Sequence, residues 1–227
     1  MPANSSQRKL EFVSKLLHWG DQNRRDFRWR HTQDPYNVLV AELLVQRTKA
    51  VQVEPVYLKF LERWSNVGSL SRAKEQEIRS VVGTLGLDYR AKRIQTIARR
   101  IMELFGGKIP DESVELRRLY GKGFGDYMAN AILCFAFGQH LPVVDKNVER
   151  ILTRVFSLRV HKDGHRDPRL WQFAGELVPS GKAREYNWSL IDFGALVCSP
   201  RNPICPACPI LGICDYGRRS ARRLEFA

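Results

Sequence analysis

Four of the five cysteines lie close together near the end of the chain, in the spacing Cys198-x6-Cys205-x2-Cys208-x5-Cys214. Thiolates are the ligands that zinc and iron–sulfur clusters prefer, and both accept four of them. Zinc ribbons usually pair two Cys-x2-Cys knuckles, whereas this segment contains only one. The spacing therefore predicts a metal site and leaves zinc and a [4Fe–4S] cluster both open. The fifth cysteine, Cys134, lies in the apolar run AILCFAF, and we expect it to be buried.

Two carboxylates lie in settings that could support acid–base chemistry. Asp145 follows the apolar run LPVV and precedes a helical pattern, so a helix cap is its plainest interpretation. A position at a helix N-terminus would also keep it ionised. Glu42 lies inside VLVAELLV, where poor solvation would raise its pKa and suit it to share a proton. An exposed position on an amphipathic helix is the alternative for Glu42.

A glycine-rich segment, Gly121-Lys122-Gly123-Phe124-Gly125, precedes a further helical pattern. Glycines at a helix entry allow backbone N–H groups to converge on one phosphate, and the lysine adds a positive charge. The pattern does not match the nucleotide P-loop, which needs Gly-Lys-Ser/Thr after a longer loop. We therefore expect a phosphate contact here but not a nucleotide site.

The charge of the chain favours a polyanionic partner. Thirty-seven Lys and Arg against twenty-four Asp and Glu give a net charge of +13, and the pI is near 9.8. Phosphate neutralisation supplies most non-specific affinity for nucleic acid, so nucleic acid is the expected partner. No apolar run is long enough to span a bilayer, and the segment MPANSSQRKL lacks a signal-peptide core. We expect a cytoplasmic, nucleoid-associated protein, in which clustered cysteines bind metal rather than form disulfides.

The elements that must position these residues are helices. A stripe of Leu10, Val13 and Leu17 predicts a first helix that stops at Gly20. Further on, Asp34 is predicted as an N-cap with Pro35 at the first helical position. Similar helical periods recur along the chain, and no alternating strand pair is present in the sequence. The predicted fold class is all-α.

Several of these segments resemble one family of proteins, the helix-hairpin-helix DNA glycosylases with a [4Fe–4S] cluster, as in endonuclease III and MutY. The 6-2-5 cysteine spacing is similar to the family's cluster loop, GKGFGDYMANAI to its hairpin, and VVDKNVER to the segment with its catalytic aspartate. The segment RRDFRWRHTQDPYNVLVAELLVQRT resembles the MutY and thymine-mismatch (Mig-type) branches. Gly121-Lys122 replaces the usual Leu-Pro of the hairpin. The resemblance extends from about Arg24 to Cys214.

This resemblance implies roles for individual residues. Asp145 would face the sugar of a flipped nucleotide and stabilise its positive charge, and Glu42 would approach the base. Tyr127 occupies the position of the Schiff-base lysine of bifunctional members, so a monofunctional enzyme is expected. The four clustered cysteines would hold a [4Fe–4S] cluster that shapes a DNA-facing loop. The implied DNA-binding residues are Gly121, Lys122, Gly123, Gly125, Gln46, Arg47, Leu87, Lys146 and Arg201.

The same resemblance bears on the substrate. Tyrosine at position 127 is typical of thymine-mismatch enzymes, and Leu87 and Asp88 replace the aromatic pair usual in MutY. Only thirteen residues follow Cys214, so we expect no oxoguanine-reading domain. The expected function is excision of thymine or uracil opposite guanine from double-stranded DNA, by a monomer acting in base excision repair. The alternatives are an adenine-specific MutY-like enzyme, a bifunctional glycosylase/lyase, and a non-catalytic DNA-binding module.

The resemblance also implies an architecture of two helical lobes flanking a DNA-binding cleft. Residues 27–140 would form a six-helix lobe that carries the helix-hairpin-helix. Residues 1–26 together with 141–227 would form the iron–sulfur cluster lobe.

Overall fold

The structure is a computed structural model that describes residues 5–87, 89–120, 125–160 and 166–219. These residues form helices joined by loops and contain no strand, which confirms the predicted all-α class. None of these helices is both long and apolar enough to cross a membrane. The α-helices are α1 (Ser5–Asn23), α2 (Pro35–Val45), α3 (Ala50–Arg63), α4 (Val67–Arg72), α5 (Glu75–Val82), α6 (Arg90–Phe105), α7 (Ser113–Tyr120), α8 (Asp126–Phe135), α9 (Lys146–Phe156), α10 (Pro168–Gly175) and α11 (Ala183–Leu196).

The chain divides into two compact units. The central unit is Asp26–Phe137 and contains α2 to α8. The terminal unit combines Met1–Arg25 with Gly138–Ala227 and contains α1, α9, α10, α11 and the cysteine loop.

Helix α2 lies in the core of the central unit. It begins as predicted, because the Asp34 side chain accepts a hydrogen bond from Asn37 N and Pro35 follows at the first helical position. Every residue from Val38 to Leu44 is buried, so this helix has no solvated face. Helices α3 and α8 pack against it, and Cys134 on α8 is fully buried as expected. A helix that is apolar on all sides requires such enclosure.

Helices α1 and α11 pack against each other in the terminal unit, and a glycine permits their approach. A Cβ at Gly20 would lie 1.9 Å from Ser189 Oγ, which is far inside contact distance. Nearby, the buried Asp192 carboxylate pairs with Arg25, whose Nη2 lies 2.6 Å from Oδ1, and it also accepts from Arg25 N. Gly20 therefore lies within α1 as a packing residue.

The sequence-based prediction for α1 was wrong in two respects. The helix continues past Gly20 to Asn23, and its buried residues are Phe12, Leu16 and Gly20 rather than the predicted stripe. Leu10 is 72 % exposed. Spacings of four place Phe12, Leu16 and Gly20 on one face, and the glycine concealed this pattern because it contributes no hydrophobic side chain.

Replacing Gly20 by Ala should destabilise the protein by about 1–3 kcal/mol, because the added methyl overpacks the contact with Ser189. The matched control is Gly83→Ala, since a Cβ at Gly83 would meet nothing within 4 Å. The free energy of unfolding from urea denaturation measures both. Equal effects of the two substitutions would contradict the close approach of α1 and α11.

Candidate functional site

Asp145 lies at the start of α9, where its side chain caps the helix. Its Oδ1 accepts hydrogen bonds from Asn147 N and Val148 N, each at 2.8 Å. Its Oδ2 accepts from Asn147 Nδ2, also at 2.8 Å. The preceding Val143 and Val144 are fully buried and anchor the segment. The cap expected from residue type is therefore present, and it fixes the orientation of the carboxylate.

Opposing effects act on the pKa of the Asp145 carboxyl. Burial raises the pKa of its carboxyl, whereas the hydrogen bonds from Val148 and Asn147 and the charge of Arg150 lower it. Burial is the largest of these effects, so the pKa lies above the ordinary aspartate value. The sequence-based expectation of an ionised carboxylate considered the helix N-terminus, which favours the charged form, and left out desolvation, which favours the neutral form.

A continuous series of hydrogen bonds runs from Asp145 to the first cysteine of the loop. Asn147 binds the Asp145 carboxylate with its Nδ2, and its Oδ1 accepts from Arg150 Nη2 at 2.7 Å. Arg150 in turn donates to Cys198 O and to Gly194 O, both at 2.8 Å. A Cβ at Gly194 would lie 2.5 Å from Asn147 Cβ, so this glycine lets α11 approach the start of α9. The carboxylate and the cysteine loop thus share one polar scaffold.

The four cysteines of the loop line a single cavity, together with apolar side chains and Arg154. Arg154 Nη1 lies 3.4 Å from Cys198 Sγ and donates to Ser199 O, while Nη2 donates to Pro200 O. Cys214 Sγ accepts from Gly217 N at 3.3 Å. Successive backbone turns join the later cysteines, with Cys208 N donating to Cys205 O.

The donor set of this cavity fits a four-thiolate cluster. In the part of the chain that the structure describes, no three His, Cys, Asp or Glu side chains converge closely enough to share one metal ion. Four thiols around one cavity are a donor set that a [4Fe–4S] cluster accepts, and zinc accepts the same set. Burial raises the pKa of Cys208 to about 11, so binding would have to displace protons. The guanidinium of Arg154 favours the resulting negative charge.

In the central unit, the Glu42 side chain is buried on α2, at 6 % exposure, which confirms its expected poor solvation. Tyr127 lies in the first turn of α8, which follows Gly125, and is half-buried. Because α2 and α8 pack together, both residues belong to one helix pair of this unit.

Three of the predicted DNA-contacting residues of the central unit lie on two loops. Gln46 and the exposed Arg47 follow the end of α2, and the half-buried Leu87 precedes α6. Arg47 and Leu87 have left-handed backbone conformations, with φ of 54° and 63°. The buried guanidinium of Arg90 donates hydrogen bonds to both loops.

The other predicted contacts are only partly described. Lys146 is exposed and pairs with Glu149 at 3.0 Å, and Arg201 is exposed in the cysteine loop. Gly125 is exposed at the start of α8. Gly121, Lys122, Gly123 and Asp88 lie outside the described residues.

Sequence reasoning missed the polar side chains that hold these groups. Asn147, Arg150 and Arg154 recur at intervals of three and four along α9, so they occupy one helical face. That spacing was a usable signal, because a row of polar residues next to an apolar stripe can mark a second packed face. Arg90 carried no comparable signal, since a basic residue at the start of a helix pattern usually predicts exposure.

Comparison with known proteins places this geometry in context. The model of the HhH-GPD superfamily base excision DNA repair proteins matches residues 40–174. A thymine/uracil-DNA glycosylase of Methanothermobacter thermautotrophicus is 35% identical over 94% of this chain and 96% of its own length. A thymine-DNA glycosylase of Aeropyrum pernix is 38% identical over 89% of this chain and 92% of its length. The human adenine DNA glycosylase is 33% identical over 94% of this chain but only 40% of its own length.

Solved structures show the same fold. The structure of a thermostable thymine-DNA glycosylase superposes with a TM-score of 0.89 at 34% identity, covering 95% of this chain and 99% of that one. A non-covalent endonuclease III–DNA complex superposes with a TM-score of 0.83 at 22% identity, covering 97% of this chain and all of that chain. At that identity the second match concerns the fold alone.

Replacing Arg150 by Met should lower the free energy of unfolding by about 1–3 kcal/mol, because Cys198 O, Gly194 O and Asn147 Oδ1 would lose a charged donor. The control is Arg79→Met, which removes only an exposed pair with Glu75 and should change stability by less than about 1 kcal/mol. Urea denaturation of both variants provides the comparison. If the Arg150→Met and Arg79→Met variants had the same urea midpoint and slope, a structural role for Arg150 would be contradicted.

Proposed function

Because the chain belongs to the HhH-GPD superfamily of base excision DNA repair proteins, we propose that it is a monofunctional DNA glycosylase for thymine or uracil mispaired with guanine. The observation that carries the proposal is the similarity to thymine- and thymine/uracil-DNA glycosylases along almost the whole length of both chains. The reaction is hydrolysis of the N-glycosidic bond after the base has been flipped out of the duplex.

In this proposal Asp145 acts at the sugar. Positive charge develops on the sugar as the glycosidic bond breaks, and a fixed carboxylate stabilises it. Two backbone N–H groups of the helix donate to Oδ1, whereas among the residues that the structure describes Oδ2 accepts from Asn147 Nδ2 alone. Each carboxylate oxygen accepts about two hydrogen bonds. Oδ2 therefore keeps one acceptor position with which to orient the attacking water.

Glu42 and Tyr127 are the proposed contacts of the flipped base. A buried carboxyl can share a proton with a base heteroatom and so assist its departure. A tyrosine has no amine, so it cannot form a Schiff base with the sugar as a lysine would. Lys146 follows Asp145 directly, but its side chain is exposed and paired with Glu149, and we assign it to a phosphate. These features support a monofunctional reaction that leaves an intact abasic strand.

We also propose that Cys198, Cys205, Cys208 and Cys214 hold a [4Fe–4S] cluster. When bound, the cluster supplies a cross-link that shapes the loop, and it takes no part in release of the base. Arg201, within that loop, then serves as a DNA contact.

The remaining parts of the proposal concern DNA and its location. Gly121, Lys122, Gly123 and Gly125 would bind phosphate, while Gln46, Arg47 and Leu87 would enter the duplex. The net charge of +13 supports binding to double-stranded DNA. We propose a monomer that acts on chromosomal DNA in the cytoplasm.

An adenine-specific activity is the second candidate, supported by the 33% identity to the human adenine DNA glycosylase. The thymine/uracil- and thymine-DNA glycosylases are 35% and 38% identical to this chain, and this higher identity favours thymine or uracil as the substrate.

A panel of duplexes that differ in one base pair tests the proposal. We expect release of thymine and uracil opposite guanine, strand breakage only after alkali or heat, and no borohydride-trapped adduct. Tyr127→Lys provides the positive control for trapping. Release of adenine opposite oxoguanine without release of thymine would overturn the assignment in favour of the second candidate, and efficient trapping by the unmodified protein would overturn the monofunctional mechanism.

Asp145→Asn should reduce base release by about 10²-fold or more, because the neutral amide cannot stabilise developing positive charge. In the unmodified protein, kcat/KM should fall as the pH drops through the pKa of this carboxyl. Burial raises that pKa, so the fall should begin at higher pH than for an ordinary aspartate. The pH profile and single-turnover rates measure both effects. Asp126→Asn, at an exposed site, is the matched control.

The purified protein should contain four iron atoms per chain and absorb visible light as a [4Fe–4S] centre does. Cys205→Ser should lose the iron, since one thiolate ligand is missing, and should weaken binding of mismatched DNA. Cys134→Ser is the control outside the loop. Stoichiometric zinc without iron in the unmodified protein would contradict the cluster assignment.

A further inference from the structure

Among the buried charged groups that take no part in the proposed reaction, one guanidinium stands apart. Arg90, the first residue of α6, is only 3 % exposed. A guanidinium has five N–H donors, and all five donors of Arg90 have an acceptor. The acceptors are Leu43 O, Leu44 O, Gln46 O, Thr48 Oγ1 and Gly86 O, at 2.8, 2.8, 3.0, 2.8 and 3.3 Å.

These acceptors lie in two segments that are far apart in sequence. Leu43 O and Leu44 O are among the last carbonyls of α2, which have no partner inside the helix. Gln46 and Thr48 belong to the loop after α2, here called the 46–48 loop. Gly86 belongs to the turn before α6, here called the 85–87 segment. The Arg90 side chain therefore caps the C-terminal carbonyls of α2 and also binds both segments.

Further contacts strengthen the connection between the two segments. Thr48 Oγ1 lies 3.4 Å from Leu85 O and 3.1 Å from Gln46 O, so its hydroxyl can bridge to the 85–87 segment. Arg93 Nη1 lies 3.3 Å from Gln46 Oε1 and restrains the Gln46 side chain. Leu87 O accepts from Arg90 N at 2.8 Å, so the backbone of Arg90 holds the second segment as well.

Each segment carries a residue in a strained backbone conformation. Arg47 and Leu87 have φ of 54° and 63°, values that favour glycine, and yet both have large side chains. Strain of this kind persists only where the surroundings fix it, and it concentrates at functional positions. The five bonds of Arg90 supply that fixation on both sides.

We propose that Arg90 is a positioning residue that holds the 46–48 loop and the 85–87 segment together as one rigid unit. Arg47 and Leu87 then enter the duplex together. This inference rests on the proposed function, since the unit acts when a base is flipped. A rigid pair has already lost its conformational freedom before it meets DNA, so less is lost on insertion. Lysine cannot replace Arg90, because it has three donors and no planar fork.

The first experiment measures hydrogen–deuterium exchange of the full-length chain without DNA. In Arg90→Lys, amides of residues 43–48 and 85–90 should both exchange about tenfold faster or more, with the rest of the chain unchanged. The control is Arg100→Lys on the same helix, where one bond to Leu119 O is at stake. Faster exchange in one segment only, or in neither, overturns the proposal. If Arg90→Lys does not fold, Thr48→Val removes one acceptor and the hydroxyl bridge, and both segments should again respond together.

The second experiment is a double-substitution cycle on single-turnover release of thymine opposite guanine. With Arg90 present, the release rate should fall by about the same factor in Arg47→Ala, in Leu87→Ala and in the double variant. Loss of either residue already disables the unit, so the second substitution adds little. In the Arg90→Lys background, the reduction in the double variant should equal the product of the reductions caused by Arg47→Ala and Leu87→Ala. Factors that multiply in both backgrounds overturn the proposal. If the unmodified protein releases no base from any duplex, the proposed function fails while the exchange result still decides whether Arg90 joins the segments.

Discussion

Guanidinium groups that donate to backbone carbonyls hold the candidate functional segments of this chain in place. Arg90 satisfies five acceptors around the end of α2, and Arg150 and Arg154 fix the carbonyls of Cys198, Ser199 and Pro200. Irregular segments leave carbonyls without partners, and a planar fork of donors can satisfy several of them at once. Removal of one such side chain leaves several acceptors without a donor at once, so the conformation of each segment depends on a single arginine.

The same arginines show where sequence-based prediction reached its limit. The charge of +13 indicated nucleic acid, but the sequence could not separate arginines that face solvent from those that hold the backbone. The helix start at Asp34 and Pro35 and the burial of Cys134 were predictable, because they depend on local residue preference. The buried face of α1 was not, because Gly20 acts through the distant Ser189 and contributes no apolar side chain. Long-range contacts of this kind have no local signature.

The candidate carboxylates show the same contrast between features that follow from local sequence and features that depend on long-range contacts. The position of Asp145 at the start of α9 followed from the sequence, and the burial of Glu42 followed from its apolar neighbours. The direction in which the Asp145 pKa moves did not follow, because it depends on the competition between desolvation and several hydrogen bonds. The polar series from Asp145 through Asn147 and Arg150 to Cys198 adds a further dependence. The orientation of the carboxylate is thereby tied to a loop more than fifty residues away in sequence.

The left-handed conformations of Arg47 and Leu87 have a consequence for how variants of this protein are judged. Glycine adopts such backbone angles readily, so a substitution by glycine removes backbone strain, and at the exposed Arg47 it does so without loss of buried contacts. Screens that score expression, solubility or melting temperature would rank such variants as harmless or improved. Under the proposed role of Arg47 and Leu87 in the duplex, stability and base release would then move in opposite directions, and an assay on mismatched DNA would detect the loss.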